Sequence, residues 1–324
     1  MSRSSVPPPV TLVLDASEAW LPARLAAVER RIADRITDHG EALAADARAT
    51  LEAGGKRLRP MLVLLCAGPA AGEEAIRAAA AVELVHMATL VHDDVLDAAP
   101  LRRGRTTVYA SSGRAAATSL GDLLFSRAFT ELAADGAERQ VELLSSASVG
   151  LARGELEQRR DAFELTVTAD RYLRRCELKT ARLFECACVI GREDPAADRA
   201  LREFGREVGL AFQLLDDVLD VAGPAERTGK ARGTDLLDGT VTLPLIIARE
   251  RDTELGAIDL RALDGVAAAD ACDRIAATGA LDDVRAAARA RVEAGKRAAA
   301  AAPIEPEQLR LLELVADGVV ERYS

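Results

Sequence analysis

Aliphatic residues recur at three- and four-residue intervals through almost the whole chain, and this spacing is what most limits the folds open to it. The stretch AWLPARLAAVERRIADRI, from Ala19, places Leu21, Leu25, Val28, Ile32 and Ile36 on one stripe, as in an amphipathic helix. The same spacing predicts helices over 41–53, 57–67, 73–97, 115–134, 138–164, 169–190, 197–221, 241–251, 279–301 and 306–322, with no alternation long enough for a buried strand. Aromatic residues are only 3% of the chain against 49% hydrophobic, so the interior must be aliphatic side chains on good helix formers. The chain is predicted to be all-α.

The clear breaks, EAGGKRLRP (52–60), AAPLRRGRT (98–106) and AGPAERTGKARGTDLLDGT (222–240), are rich in Gly or Pro and carry basic residues. No Pro/Ser-rich linker divides the chain, so the expectation is one helical domain over 11–324 behind a disordered tail, 1–10. The first apolar run is four residues long, too short for the core of a secretory signal. No uninterrupted apolar stretch reaches the 18 or so residues that span a bilayer. A cytoplasmic protein without a transmembrane segment is expected. Five cysteines without a C-x-x-C pair imply buried free thiols. A net charge of -10 argues against a general nucleic-acid binder.

The pentapeptide DDVLD occurs twice, starting at Asp93 and at Asp216. On a helix, residues three, four and seven apart share a stripe, so His86, Leu90, Asp93 and Asp97 align, as do Gln213, Asp216, Asp217 and Asp220. Two carboxylates about 5 Å apart repel by about 3 kcal/mol at an effective dielectric near 20, which calls for a compensating cation. A solvated acidic helix end would need no such partner. Here the flanks HMATLVH and GLAFQLL are too apolar for a solvated face. Neither segment has the alternating oxygens, central Gly and terminal Glu of an EF-hand, whereas Mg²⁺ takes one or two carboxylates and completes its shell with water and substrate phosphates. Basic residues stand beside both segments: Lys56, Arg57 and Arg59, then Arg102, Arg103 and Arg105, with Lys179 and Lys230 further on. In an acidic chain this placement points to phosphate recognition.

In order along the chain, GGKRLRPML, VELVHMATLVHDDVLDAAPLRRGRTT, GD at Gly121, KT at Lys179, GLAFQLLDDVLD and GKARGTDLLDGTVTLP resemble the motif set of the trans-polyprenyl diphosphate synthases. The resemblance runs from about residue 50 to 245 and implies a homodimeric helical bundle of the isoprenoid-synthase type around a deep central cavity. It implies that Asp93, Asp97 and Asp216 ligate about three Mg²⁺ ions bridging an allylic diphosphate, supported by Asp94, Asp217 and Asp220. Arg102, Lys179 and Lys230 would grip that diphosphate, Thr180 and Gln213 would lie near its reactive carbon, and Lys56, Arg59, His86 and Arg103 would hold isopentenyl diphosphate. Loss of diphosphate would give an allylic cation, attack by isopentenyl diphosphate would lengthen it, and proton loss would restore the alkene. Ala88, five positions before the first aspartate, would leave the cavity open for a medium- or long-chain product of the kind used for quinone side chains, delivered to a membrane. The alternatives are a short-chain farnesyl or geranylgeranyl synthase, a terpene cyclase, which normally carries a different second metal motif, and an accessory subunit, in which decayed aspartates would be expected.

Overall fold

The computed structural model describes residues 8–17, 19–36, 41–52, 57–102, 104–133, 137–223 and 232–321. Helix α1 (Pro8–Ala16) takes in residues 8–10, the last three of the stretch expected to be a disordered tail. Proline suits a helix start because the first N–H groups have no intrahelical acceptor. Then come α2 (Leu21–Ile36), α3 (Glu41–Glu52), α4 (Leu58–Ala67) and α5 (Glu73–Leu96). The hairpin of β1 (Leu101–Arg102) and β2 (Arg105–Thr106) leads to α6 (Val108–Ala133), α7 (Glu138–Asp161) and α8 (Ala169–Cys176). A π segment (Glu177–Ala181) runs into α9 (Arg182–Ile190), followed by α10 (Asp198–Ala222), α11 (Thr234–Leu237) and α12 (Leu243–Ala248). Helices α13 (Thr253–Gly256), α14 (Gly265–Ala277), α15 (Ala280–Ala300) and α16 (Pro306–Glu321) complete the described chain.

The expected stripe is the one buried: Leu21, Val28, Ile32 and Ile36 of α2 are enclosed, with Leu25 half-buried beside them. Among the described residues the only sheet is the hairpin pairing Leu101 with Thr106 and Arg102 with Arg105, inside a break that spacing left without structure. Helix α14 was not foreseen because GVAAADACDRIAA has alanine on every face and so no readable period. Asp264 starts it by accepting from the backbone N–H groups of Val266 and Ala267. Helix α6 begins earlier than expected and breaks at Gly113, whose φ of 85° is open to glycine without a Cβ penalty.

One apolar cluster runs from Val13 to Val319. Helix α5 lies along α6, and α10 along α15. By length and composition α5 could cross a membrane, but 72% of its apolar window is buried within the protein, as in a core helix. All five cysteines are buried and free. The charged residues that enter the core are paired. Arg57 donates to Glu83 at 2.8 Å, and Arg35 donates to Glu131 at 2.6 Å.

The π segment interrupts what the sequence reads as one helix over 169–190. A π turn is wider than an α turn and often marks a functional site, so its neighbours must give way. Two glycines make that room. A Cβ on Gly154 of α7 would stand 2.5 Å from the Lys179 nitrogen, and one on Gly209 of α10 would stand 2.8 Å from the Ala181 Cα. Gly209→Ala would gain helix propensity, about 1 kcal/mol at most, but must push two backbones apart. The expected outcome is a net destabilisation of roughly 1–3 kcal/mol, the usual range for overpacking, measured by urea unfolding.

Candidate active site

Both DDVLD segments lie at the C-terminal ends of their helices. Asp93 is in the last turn of α5 and Asp97 caps it, while Asp216, Asp217 and Asp220 occupy the last two turns of α10. A helix C-terminus carries a partial negative charge and favours Lys or Arg, yet neither helix has a basic residue in its last turn. The acidic groups therefore add to a field of their own sign, and the compensation must come from other elements.

It comes across a cavity of about 210 Å³ between them. Of the residues expected from sequence, Asp93, Asp97, Arg102, Lys179, Thr180, Gln213, Asp216 and Asp217 line this one space. Arg59 and His86 do not. The Arg59 guanidinium lies 4.6 Å over the Phe184 ring, and His86 is half-buried two turns before Asp93 on α5. Lys56, Arg103 and Lys230 lie outside the described residues. Ala88 is fully enclosed, and its neighbour Thr89 is half-buried, donating to the His86 carbonyl at 2.8 Å. Gly121 serves packing: a Cβ there would overlap the His92 ring, whose Nε2 lies 3.2 Å from Asp122.

The two identical pentapeptides divide their labour alike. The second aspartate of each is buried and held by protein donors. Arg102 donates to Asp94 at 2.7 Å, while Gln213 donates to Asp217 at 2.8 Å and the Tyr172 hydroxyl donates to its other oxygen. Thr180 donates to the Gln213 side-chain oxygen Oε1 at 2.7 Å, so the π segment, α8 and α10 meet on Asp217. Asp220 accepts from the Asp235 backbone N–H at 3.2 Å and ties α11 to α10.

Lys179 pairs with Glu155 at 2.6 Å. Burial opposes ionisation of both, but their mutual attraction outweighs it, helped by Arg159 at Glu155 and by Asp93 at Lys179, so Glu155 sits below its usual range and Lys179 above. Burial pushes Asp93 up to about 6 despite the pull of Lys179, and pushes Asp217 up to about 8 despite its two donors. Hard carboxylate oxygens on facing helix ends suit a divalent ion of the Mg²⁺ or Ca²⁺ kind. Among the described residues no three His, Cys, Asp or Glu side chains form a ready cage.

The polyprenyl synthetase family profile matches residues 41–271. The polyprenyl synthetase family includes this chain. The heptaprenyl diphosphate synthase component 2 of Geobacillus stearothermophilus is 41% identical over 242 residues, 72% of this chain and 75% of that one. The geranylgeranyl diphosphate synthase of Methanosarcina mazei is 36% identical over 288 residues, 85% of this chain and 88% of that one. The crystal structure of a polyprenyl synthase from Caulobacter crescentus, complexed with calcium and isoprenyl diphosphate, superposes with a TM-score of 0.89 at 35% identity, covering 97% of this chain and 98% of that one.

Several wall residues of this polyprenyl synthetase escaped the sequence reading: Gln158, Arg159, Tyr172, Arg175, Asp235, Asp238, Thr240 and Thr242. Asp235 and Asp238 had a usable signal, since TDLLDGT sets two acids one turn apart just as DDVLD does. Tyr172 and Arg175 had none, because their distance from Asp217 and from the Val241 carbonyl, to which Arg175 donates at 2.7 Å, exists only in three dimensions.

The raised carboxyls set a pH dependence. Between their unfolded value near 4 and their folded values, the folded chain binds protons that the unfolded chain has released. Without metal, the contribution of these two carboxyls to stability should therefore fall as pH rises from about 4 to about 8. Asp217→Asn removes the larger part, so thermal unfolding in EDTA should depend less on pH in this variant than in the wild type over that window.

Proposed function

We propose that this polyprenyl synthetase condenses isopentenyl diphosphate with an allylic diphosphate, head to tail, lengthening a trans polyprenyl chain. The observation that carries the reading is the convergence of two acidic helix ends with Arg102, Lys179, Thr180 and Gln213 on one cavity. Such a space suits a multiply charged phosphate group bound together with cations, and little else.

In this reading Asp93, Asp97 and Asp216 hold Mg²⁺, about three ions per site, with Asp94, Asp217 and Asp220 as supports. The ions supply charge neutralisation of the departing diphosphate. Lys179 and Arg102, with Lys230, grip the diphosphate at the end where its negative charge develops. Thr180 and Gln213 turn oxygen atoms toward the reacting carbon, and the bond between them keeps both in place. Lys56, Arg59, His86 and Arg103 hold isopentenyl diphosphate so that its double bond stands near that carbon, which lowers the entropic part of the barrier.

A medium- or long-chain product, roughly 30 to 50 carbons with helices of about 30 Å along the tail, is favoured by the small residues Ala88 and Thr89 before the first aspartate and by the heptaprenyl relative. The geranylgeranyl relative keeps a short-chain product as the second reading. The enzyme is taken as a cytoplasmic homodimer that passes its product to a membrane. Intact aspartates in both segments favour an active chain over an accessory subunit.

Incubation with isopentenyl diphosphate, an allylic primer and Mg²⁺ should give elongated diphosphates by mass measurement, and EDTA should abolish them. Asp93→Ala and Asp216→Ala should each lower kcat by roughly 10²–10³, about 3–4 kcal/mol, by analogy with a lost transition-state donor. Near-native turnover in either would remove that residue from the ligand set. Ala88→Phe should shorten the products while sparing the first condensation, at an overpacking cost of about 1–3 kcal/mol. An unchanged mass distribution would place the length control on another wall.

A further inference from the structure

Arg159 belongs to none of the motifs, yet its guanidinium reaches the first acidic segment. It leaves the last turn of α7 and donates through Nη2 to Asp97 at 2.7 Å and through Nε to Glu155 at 2.8 Å. Glu155, one turn earlier, also holds Lys179 at 2.6 Å. One carboxylate thus steers two cations, and both stand against the acids that end α5. The Arg159–Asp97 pair is partly open to solvent, with side chains 42% and 33% exposed, so an incoming ion can reach it.

An arginine here neutralises Asp97 where the negative end of α5 makes an unpaired carboxylate unfavourable. A divalent ion would do the same, on the same oxygens, with more charge. The two occupants are alike in sign and cannot share one carboxylate without repelling. We propose that Arg159, steered by Glu155, is an internal cation that occupies the Asp97 position until a divalent metal displaces it, so that this residue sets the affinity of the empty enzyme for its metal. The inference rests on the reading of Asp97 as a metal ligand. It makes Arg159 a positioning residue whose effect appears in metal binding before any substrate is present.

The test is a titration of the full chain with Mn²⁺ alone, following free ion by electron paramagnetic resonance, in wild type, Arg159→Gln, Asp97→Asn and the double variant. Arg159→Gln should bind Mn²⁺ about three- to five-fold more tightly, the size expected for a partly exposed ion pair. In the Asp97→Asn background the same substitution should change nothing. Unchanged or weaker binding in Arg159→Gln overturns the proposal, and so does an equal gain without Asp97, which would mean a general charge effect. Equal binding by wild type and Asp97→Asn would instead overturn the ligand reading beneath it. Thermal unfolding without metal checks that each variant is folded.

Discussion

Negative charge gathered at the C-terminal ends of α5 and α10 is the constraint on which the rest of the site depends. Asp93, Asp97 and Asp220 stand where the helix field already opposes them, Asp216 and Asp217 lie about one turn further in, and Asp235 of α11 and Asp238 at its end border the same cavity. Fold stability alone would select against this. The chain tolerates it by holding cations opposite: Arg102 on Asp94, Arg159 on Asp97 and Lys179 beside Asp93. Each comes from a different element, the hairpin, α7 and the π segment, so the bundle must be closed before the charges balance.

Backbone packing brings those elements close enough. Gly154 and Gly209 flank the wide π turn, and Gly205 lets α10 approach the start of α9, where a Cβ would stand 2.7 Å from the Phe184 carbonyl oxygen. Larger residues would move Lys179 away from Glu155 and Thr180 away from Gln213, both pairs within 2.7 Å. The catalytic geometry and the core are therefore one packing problem. Behind the cavity, Arg175 fixes the stretch carrying Thr240 and Thr242 through the intervening Val241 carbonyl.

The paired pentapeptides show how burial sorts identical residues. Adjacent aspartates differ by about 100° around a helix axis. Asp93 and Asp216 consequently present their carboxylates to the cavity, while Asp94 lies off its wall and Asp217, though on the wall, is tied by both oxygens to protein donors. A buried carboxyl needs such donors. In Asp217 they are a tyrosine hydroxyl and an amide, both neutral, which leaves its burial only partly offset and its proton affinity raised.

The all-helical class, the boundaries of most long helices, the two acidic segments and the Lys179–Thr180 pair were legible in the sequence, because each rests on spacing within one stretch of backbone. Helix α14 was not, since alanine on all faces hides the period. The break of α8–α9 into a π turn was also hidden, because nothing local marks an extra residue in a turn. Tertiary structure alone decided which aspartates face the cavity and which are tied inward. It also brought Glu155, Arg159, Tyr172 and Arg175 to the site, at sequence distances that no spacing rule joins. The physical reason is that periodicity reports which face of a helix is buried, whereas the partner of a buried charge is chosen by whichever helix packs against it.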